Sequence, residues 1–438
     1  MKEQTKIPKN KIGRASKLAR TGIQVGVNYL KYRAKKTITG SDDKSEFHEA
    51  TARHTYDTFS QLKGGPLKLA QMLSMDRNLI PEQYVDQFSQ AQYNAPPLTY
   101  PLVVNTFTKE LGARPNQIFE KFTTKAMSSA SIGQVHQAEL NGQKLAVKIQ
   151  YPGVADSLKS DLALVKPIAM RLFQLDAKSL DPYMKEVEER LLEETDYFLE
   201  LERSQTLAEK SSHLPHTRFP AFFPAQSSRR ILTMEWVEGV QLDTFADSSA
   251  SQDEKQKIAQ ALWDFYHYQV HELRLFHADP HPGNFKVHNN ELWVLDFGCT
   301  KALEDDFYHD YFSLMNPEVI DNDHIFRQAL RKIGLLLESD KPHEQDKLTR
   351  VFKESVELLS RPFREGSFDF GNRDYFDELA AFGERTRLDK ELSDLSTSRG
   401  SAHALYLNRT YFGLYNLIGS LGATIQASLP KYKPSKAA

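Results

Sequence analysis

Cysteine is nearly absent from the sequence. The single residue Cys299 excludes an intramolecular disulfide, and nothing else in the composition indicates an oxidising compartment. No run of about 18 apolar residues occurs, so no membrane-spanning helix is predicted. The most apolar C-terminal stretch, residues 405–429, is interrupted by Asn408, Arg409 and Asn416. The N-terminus also lacks the apolar core of a secretory signal, so we expect a cytoplasmic protein.

An excess of charge of one sign is missing from the chain as a whole. Its 56 Lys and Arg residues nearly balance 58 Asp and Glu residues, so the net charge names no partner. The distribution is uneven, because residues 1–36 carry eleven Lys and Arg but only one acidic residue, Glu3. A basic segment ahead of an acidic remainder is typical of a surface-binding arm.

Residues 12–36 combine basic residues with an apolar stripe at roughly helical spacing. The stripe consists of Ile12, Ala15, Leu18, Ala19, Ile23 and Val27. One interpretation is a basic helix on an anionic membrane surface. The other is a solvated or frayed terminal helix, because three glycines weaken helix formation. An organellar transit peptide ranks second for the N-terminus, because the segment is richer in lysine than such peptides usually are. Nucleic acid is not expected as a partner, because the segment has few aromatic residues.

Helices are predicted for most of residues 46–90, with a break at Gly64-Gly65-Pro66, and Pro96-Pro97 marks a linker. From about residue 116 the pattern changes to strands. Residues 135–140 and 144–150 read as two strands joined by Asn141-Gly142, which is a strong hairpin signal.

The remaining sequence is mainly helical. Helices are predicted over residues 156–175, 183–209 and 254–275 and strands over residues 230–237 and 291–296, followed by helix to about residue 429. This order predicts an α+β protein with a small sheet-bearing lobe and a larger helical lobe. The expected domains are a basic segment 1–45, a helical extension 46–115, an N-lobe 116–237 and a C-lobe 238–438.

The strongest group of chemically informative residues lies in the second half. The run HADPHPGN at residues 277–284 follows a long predicted helix, and Asp296-Phe297-Gly298 ends a hydrophobic strand. Phosphoryl transfer needs a divalent cation between phosphate oxygens, and Mg²⁺ prefers oxygen ligands such as Asp296 and Asn284. Asp279 adds a carboxylate for the incoming nucleophile, at the spacing from Asn284 that kinase catalytic loops have.

Each of these segments has a simpler explanation when it is taken alone. A DFG triplet arises by chance in many chains and usually marks a turn after a strand. His277 and His281 suggest a zinc site, but no matching Cys/His pair occurs elsewhere. It is the ordered set that favours phosphoryl transfer.

Lys148 lies on the second strand of the predicted hairpin. Most strand lysines face solvent, but Lys148 precedes the catalytic-loop candidate by the length of one lobe, as in protein kinases. The loop that should cover the phosphates, Ser128–Gln134, is not the glycine-rich sequence of ordinary kinases, and only Gly133 has full backbone freedom. Its small residues still allow backbone N–H groups to approach phosphate.

Together these segments resemble the ABC1/UbiB family of atypical kinases, also called AarF or COQ8-type. SASIGQVHQAEL and NGQKLAVKIQYPGV resemble that family's alanine-rich loop and lysine strand, and FHADPHPGNF and VLDFG resemble its catalytic and metal loops. KGGPLKLAQMLS resembles its K-x-G-Q signature, the segment Glu194–Tyr197 its E-x-D segment, and MEWVEGVQLD its hinge. The resemblance covers residues 46 to about 420 and implies a bilobal protein-kinase-like fold with a helical N-terminal extension.

The resemblance also implies roles for individual residues. Lys148 pairs with Glu200 and contacts phosphate, Asp279 is the catalytic aspartate, and Asn284 and Asp296 bind Mg²⁺. The remaining implied nucleotide contacts are Ser129, Ala130, Ser131, Ile132, Gly133, Glu235 and Val237. Lys68 and Gln71 belong to an extension over the cleft, with Lys68 meeting Glu194 or Asp196. A buried lysine needs a carboxylate partner. The alternative for Lys68 is a surface lysine on an amphipathic helix.

The sequence departs from the family pattern and from ordinary kinases at several positions. Ala70 replaces the glycine of K-x-G-Q, which favours the helix but puts a methyl group at a close approach. The loop begins with two serines, whereas Ala130, at the alanine position linked in the family to unusual nucleotide preference, is retained. Ala278 stands where protein kinases have the arginine of H-R-D, and no Ala-Pro-Glu follows the DFG. These absences argue against ordinary protein kinase activity.

The resemblance implies an atypical kinase or ATPase that uses ATP (or ADP) and Mg²⁺. It implies a peripheral membrane location and a role in ubiquinone (isoprenoid quinone) biosynthesis or lipid homeostasis, with an organellar location as the alternative. The expected partners are nucleotide, an anionic membrane surface, and quinone-pathway lipids or enzymes. Two other functions stay open: a protein kinase acting in trans, and a nucleotide-sensing scaffold without turnover.

Overall fold

The computed structural model describes residues 11–39, 45–74, 82–89, 97–129, 132–173, 177–364, 366–389, 391–392 and 399–427. The chain divides into two compact units. Unit 1 consists of Met1–Glu202 with Ala221–Trp236, and unit 2 consists of Arg203–Pro220 with Val237–Ala438.

Helices make up most of both units. In chain order they are α1 (Lys11–Thr39), α2 (Ser45–Leu62), α3 (Gly65–Ser74), α4 (Glu82–Ser89), α5 (Tyr100–Leu111), α6 (Pro115–Ile118), α7 (Val154–Phe173), α8 (Ala177–Glu194), α9 (Tyr197–Ser211), α10 (Leu242–Ala246), α11 (Gln252–Tyr268), α12 (Asp305–Ser313), α13 (Pro317–Ile320), α14 (Asp323–Lys332), α15 (Pro342–Arg364), α16 (Arg373–Leu388) and α17 (Ala402–Leu421). Among the described residues, no helix combines the length and the apolar character needed to cross a membrane.

The strands are short and form small sheets. They are β1 (Lys121–Phe122), β2 (Ser128–Ser129), β3 (Gly133–Leu140), β4 (Gln143–Gln150), β5 (Thr217–Arg218), β6 (Ile231–Glu235), β7 (Val240–Gln241), β8 (Leu275–His277), β9 (Phe285–His288), β10 (Glu291–Val294), β11 (Thr300–Ala302), β12 (Ser367–Asp369) and β13 (Thr424–Gln426). This mixture of many helices with small sheets confirms the predicted α+β class.

The sheet of unit 1 is antiparallel, with the order β1-β3-β4-β6 and with β2 added beside β3. The predicted hairpin is present, because Asn141 and Gly142 join β3 to β4 with φ of 52° and 74°. Two successive positive φ values match the right-handed twist of the strands, and Asn-Gly adopts them at low cost. Val103 and Phe107 of α5 pack with Val147 and Ile149 of β4 in one apolar core.

The helices of unit 1 form a second core, in which α1 packs against α2 and α7. The predicted N-terminal helix is therefore present, but the packed side differs from the apolar stripe. Leu18 is buried together with the polar residues Arg14 and Thr21, whereas Ile23 is 68% exposed. The Arg14 guanidinium donates at 2.6 Å to each oxygen of Asp161 on α7. A buried charge pair thus fixes the first turns of α1.

The helix predicted over residues 183–209 is wrong as a single element. The structure ends α8 at Glu194 and begins α9 at Tyr197, with Thr195 and Asp196 between them. The Phe198 N–H donates to the Asp196 carboxylate at 3.1 Å. Because aspartate accepts hydrogen bonds well from the first turn of a helix, Asp196 starts a new helix there.

Unit 2 contains a four-stranded sheet with the order β5-β10-β9-β7. Its hairpin β9–β10 turns at Asn289 and Asn290, with φ of 52° and 58°. A separate ribbon pairs β8 with β11, so that His277 lies opposite Thr300. The helix α11 packs against α17 and continues into a π-helical turn, Gln269–Leu273, which leads directly into β8.

Candidate functional site

In unit 1, Lys148 on β4 pairs with Glu200 in the first turn of α9. The Lys148 Nζ lies 2.7 Å from Glu200 Oε1, and the two side chains are 16% and 2% exposed. An unpaired carboxylate buried to that extent is strongly destabilising, so the lysine compensates the glutamate charge. Lys148 is the more exposed member of the pair.

Tyr197 also contacts Lys148, although the sequence analysis did not give it a role. The Lys148 Nζ lies 5.1 Å from the centroid of the Tyr197 ring, within the range of cation–π attraction. Tyr197 is the last residue of the predicted segment Glu194–Tyr197 and is fully buried. Its distance of three residues from Glu200 on one helix was the available sequence signal, because such pairs share a helix face.

The predicted phosphate-covering loop is described at both of its ends. Ser129 pairs with Gln134 as β2 meets β3, and Ile132 is buried with its carbonyl accepting from the Tyr151 N–H at 2.8 Å. A methyl group on Gly133 would lie 2.8 Å from the Ile149 carbonyl oxygen, so a side chain would collide there. Ala130 and Ser131 lie outside the described residues.

The residues of the helical extension are only partly described. Lys68 and Gln71 lie on α3, but their side chains are outside the description, so the predicted contact of Lys68 with Glu194 or Asp196 stays a prediction. Glu194 is buried at the end of α8. Asp196 lies 3.3 Å from the Nε of Arg229, a partner that the sequence analysis did not identify.

The predicted hinge residues, Glu235 and Val237, each use one backbone group in a hydrogen bond within the protein. In unit 1 the Glu235 N–H donates to the Ala221 carbonyl at 2.7 Å. In unit 2 the Val237 carbonyl accepts from Lys286 Nζ at 2.8 Å. Burial lowers the pKa of Lys286. The predicted contact of these residues with adenine stays a prediction.

In unit 2 the candidate catalytic loop is a compact turn. The Asp279 carbonyl accepts from the His281 N–H at 2.8 Å and from the Asn284 amide nitrogen at 2.9 Å. Because its nitrogen is used in this way, Asn284 has its amide oxygen available as a cation ligand. One oxygen of Asp296 accepts from the Gly298 N–H at 2.8 Å, which fixes the carboxylate and leaves its second oxygen outside this bond.

A buried polar framework supports this loop. His277 is fully buried, and its Nδ1 lies 3.2 Å from the Tyr266 hydroxyl. Burial, followed by the charge of Asp279, raises the pKa of Tyr266 well above its usual range. The Ala278 N–H donates to the Cys299 carbonyl at 2.8 Å, so the two candidate loops are joined directly. His277 therefore acts as a core residue of this framework.

The candidate metal-binding residues of unit 2 carry the oxygen groups that Mg²⁺ prefers. A carboxylate and an amide oxygen, Asp296 and Asn284, are hard oxygen donors of the kind that Mg²⁺ prefers. Within the described ranges, no group of three or more His, Cys, Asp and Glu side chains is placed to hold a metal ion.

The chain is similar to known proteins over most of its length. The model of the ABC1 atypical kinase-like domain matches residues 90–327. A probable serine/threonine-protein kinase, abkA, of Dictyostelium discoideum is 28% identical over 82% of this chain and 67% of its own length. The mitochondrial atypical kinase COQ8 of Saccharomyces cerevisiae is 28% identical over 84% of this chain and 73% of its own. Across such curated relatives the matched part spans from 33% to 73% of the relative's length.

A solved structure supports the fold. A Mycobacterium tuberculosis protein, determined in complex with erythromycin, superposes with a TM-score of 0.59 and 24% identity. The match covers 88% of this chain and 95% of the other. Together with the domain match, this likeness confirms the expected kinase-like fold.

Proposed function

Because this chain belongs to the ABC1 atypical kinase-like family, we propose that it is a kinase-type phosphotransferase or ATPase that binds Mg-ATP. The observation that carries the proposal is the 2.7 Å ion pair between Lys148 and Glu200. These residues lie 52 positions apart in sequence, and the structure brings them together in the way that ATP-binding kinases pair a strand lysine with a helix glutamate.

Each candidate site residue would have a separate role in this reaction. Lys148, fixed by Glu200, would neutralise phosphate charge, and Asp296 and Asn284 would hold Mg²⁺. When bound, Mg²⁺ supplies charge compensation to the phosphate oxygens. Asp279 would accept a proton from the incoming hydroxyl or water. The backbone of Ser129, Ile132 and Gly133 would face the phosphates, and the small residues Ser129 and Gly133 leave room for that approach.

We also propose that α1 places the protein on an anionic membrane surface. Ile23 and Leu30 are 68% and 67% exposed although they are apolar, and Val27 and Tyr29 lie exposed beside them. The exposed basic side chains farther along the same helix are Lys31, Arg33, Lys35 and Lys36. An apolar face beside cationic groups is the pattern of interfacial helices.

The proposed biological role rests on the relatives. COQ8 is an atypical kinase of mitochondria, and this chain aligns with most of its length. We therefore propose a role in ubiquinone biosynthesis or lipid homeostasis, with quinone-pathway lipids or enzymes as partners and with a peripheral membrane location. The Ala278 substitution at the position of the kinase arginine favours a small-molecule acceptor or water over a protein.

The test of the enzymatic proposal is ATP hydrolysis by the purified full chain with Mg²⁺, beside Asp296→Asn. We expect turnover in the wild type that the variant loses, and stimulation by anionic vesicles. Nucleotide binding with no turnover in either protein would instead favour a nucleotide-sensing scaffold. Transfer of phosphate to an added protein, lost in Asp279→Ala, would favour a protein kinase.

The membrane proposal is tested separately by co-sedimentation with vesicles of phosphatidylcholine, with and without phosphatidylglycerol. We expect binding to the anionic vesicles that Ile23→Ser/Leu30→Ser reduces at least fivefold. Leu388→Ser is the matched control, because Leu388 is 62% exposed on unit 2. Equal sedimentation of all three proteins would show that α1 is not the membrane contact.

A further inference from the structure

We infer that Tyr197 is a positioning residue for Lys148. Its ring holds the lysine ammonium beside Glu200, and its hydroxyl end contacts the start of β3. The inference rests on the proposed function, because it concerns how Lys148 meets nucleotide phosphate. The first turn of α9 then makes two contacts with Lys148. Glu200 contributes a carboxylate, and Tyr197 contributes the face of its ring.

The ring of Tyr197 is held in place by its surroundings. Tyr197 is fully buried, and its backbone N–H donates to the Arg229 carbonyl at 3.1 Å, which fixes the first residue of α9. Lys148 Nζ then lies 5.1 Å from the ring centroid and 2.7 Å from Glu200 Oε1. A cation between a carboxylate and an aromatic face has few other orientations, so the ammonium position is defined before any ligand arrives.

The hydroxyl end of Tyr197 reaches the candidate phosphate loop. A methyl group built on Gly133 would lie 2.8 Å from the Tyr197 Oη, so the glycine and the tyrosine are in close contact. Gly133 is the first residue of β3 and follows the loop. One side chain therefore touches both the lysine and the loop backbone that we propose to meet phosphate.

A second tyrosine connects this arrangement to the helical extension. Tyr151, at the end of β4, is fully buried, and its N–H donates to the Ile132 carbonyl of the loop at 2.8 Å. The ammonium of Lys63, at the end of α2, lies 4.8 Å from the Tyr151 ring centroid. Burial, followed by the nearby Tyr197, raises the pKa of Tyr151, so the Tyr151 ring stays neutral. Two buried tyrosines thus contact adjacent residues, Ile132 and Gly133, at the C-terminal end of the loop.

The experiment measures Mg-ATP affinity of the full chain by equilibrium dialysis with radiolabelled ATP. We expect Tyr197→Leu, which removes the ring, to weaken binding at least fivefold. Tyr197→Phe keeps the ring face and should stay within twofold of the wild type. In the Lys148→Met background, Tyr197→Leu should cause no further loss, because the ring acts through the lysine.

Tyr84→Leu is the matched control, because Tyr84 is an equally buried tyrosine of unit 1 on α4. It should lower thermal stability without weakening ATP binding. If Tyr197→Leu shows no cooperative thermal transition, Tyr197→Met, which fills more of the space without a ring, replaces it with the same expectation.

Two results would overturn the inference. One is wild-type affinity in Tyr197→Leu while Lys148→Met binds weakly. The other is an equal fold-loss from Tyr197→Leu with and without Lys148, which would show that the ring supports the fold and not the lysine. A wild-type protein that binds no Mg-ATP would overturn the proposed function, and the inference with it.

Discussion

Unit 1 and the α11 region of unit 2 bury polar side chains in different ways. In unit 1 the buried groups include full charges in pairs, such as Arg14 with Asp161 and Lys148 with Glu200. Around α11 the buried groups are neutral rings, and the rings of His267 and Trp263 stack 4.0 Å apart. Burial of a charge requires a partner, whereas a neutral ring can be packed as an apolar group.

The same contrast holds for the candidate site residues. Unit 1 supplies a cation that a carboxylate already fixes, Lys148 with Glu200. Unit 2 supplies oxygen groups held by backbone hydrogen bonds, in the segments around Asp279, Asn284 and Asp296. A preset cation can attract phosphate without a metal, while oxygen groups need a cation between themselves and the phosphate. The two groups should therefore respond differently to removal of Mg²⁺.

The largest expected effect separates these two groups of residues. Asp296→Asn should lower ATP turnover about a hundredfold or more, because it removes a charged ligand of Mg²⁺. Its effect on ATP binding should disappear in EDTA. Lys148→Met should weaken ATP binding both with Mg²⁺ and in EDTA, because its attraction to phosphate needs no metal. The measurements are steady-state hydrolysis and equilibrium dialysis of ATP.

Lys144→Met is the control for the lysine substitution, because Lys144 is an exposed residue of the same strand. It should leave both measurements near the wild type. Weaker binding of Asp296→Asn in EDTA, equal to its loss with Mg²⁺, would contradict a metal-ligand role.

Local patterns predicted much of the fold, since a hairpin such as Asn141-Gly142 depends only on its own residues. The pairing of Lys148 with Glu200 came from resemblance, because no spacing rule joins residues so far apart. The contact of Arg14 with Asp161 was not predicted, since an arginine on an amphipathic helix normally faces solvent. Tyr197 was missed because buried tyrosines usually serve packing alone.

The second prediction concerns the buried charge pair of unit 1. Arg14→Met should lower the free energy of unfolding by about 3 to 5 kcal/mol, because it leaves Asp161 buried without its partner. The expected magnitude follows from the exposure of the two side chains, 2% and 1%. Urea unfolding followed by circular dichroism measures the change.

Lys35→Met is the matched control on the same helix. Lys35 pairs with Glu46, but the two side chains are 61% and 77% exposed, so solvent screens the pair. Its loss should cost less than about 1 kcal/mol. Similar losses in Arg14→Met and Lys35→Met would show that burial does not govern the contribution of α1 charges.

The third prediction uses the buried Lys63. Burial lowers its pKa to about 7 in the folded state. The unfolded chain, with a lysine pKa of about 10.4, therefore binds a proton that the folded chain releases between these values. Stability rises with pH across that window and is lowest below about pH 7. Lys63→Met should thus be more stable than the wild type at pH 7, by about 2 kcal/mol once the lost cation–π contact with Tyr151 is counted.

The difference between Lys63→Met and the wild type should shrink as the pH rises from 7 toward 10, because the penalty for burying a charged lysine falls as the pH approaches the unfolded pKa of about 10.4. Lys144→Met serves again as the exposed control and should show no such trend. A constant difference from pH 7 to pH 10 would mean that Lys63 does not titrate in this window. Urea unfolding at each pH provides the measurement.

The prediction with the smallest expected effect tests whether the buried ring of His267 on α11 is neutral. Within the described residues, neither ring nitrogen of His267 has a hydrogen-bond partner, and the side chain is buried. Burial, followed by His271, lowers the pKa of His267 well below its usual range. Since the unfolded histidine binds a proton below about pH 6.5, the folded state loses stability as the pH falls through that value. His267→Phe should therefore resist acid.

We expect His267→Phe to match the wild type at pH 7 within about 1 kcal/mol and to exceed it at pH 5 by about 1 to 2 kcal/mol. Burial, followed by Arg274, lowers the pKa of His271 to about 3, but that residue titrates in both proteins and cancels in the difference. His343→Gln, at an exposed position, is the control and should leave the acid response unchanged. If His267→Phe lost stability in parallel with the wild type from pH 7 to pH 5, the ring would be protonated in the folded state. The α11 region would then bury a charge as unit 1 does, and the contrast between unit 1 and the α11 region would fail.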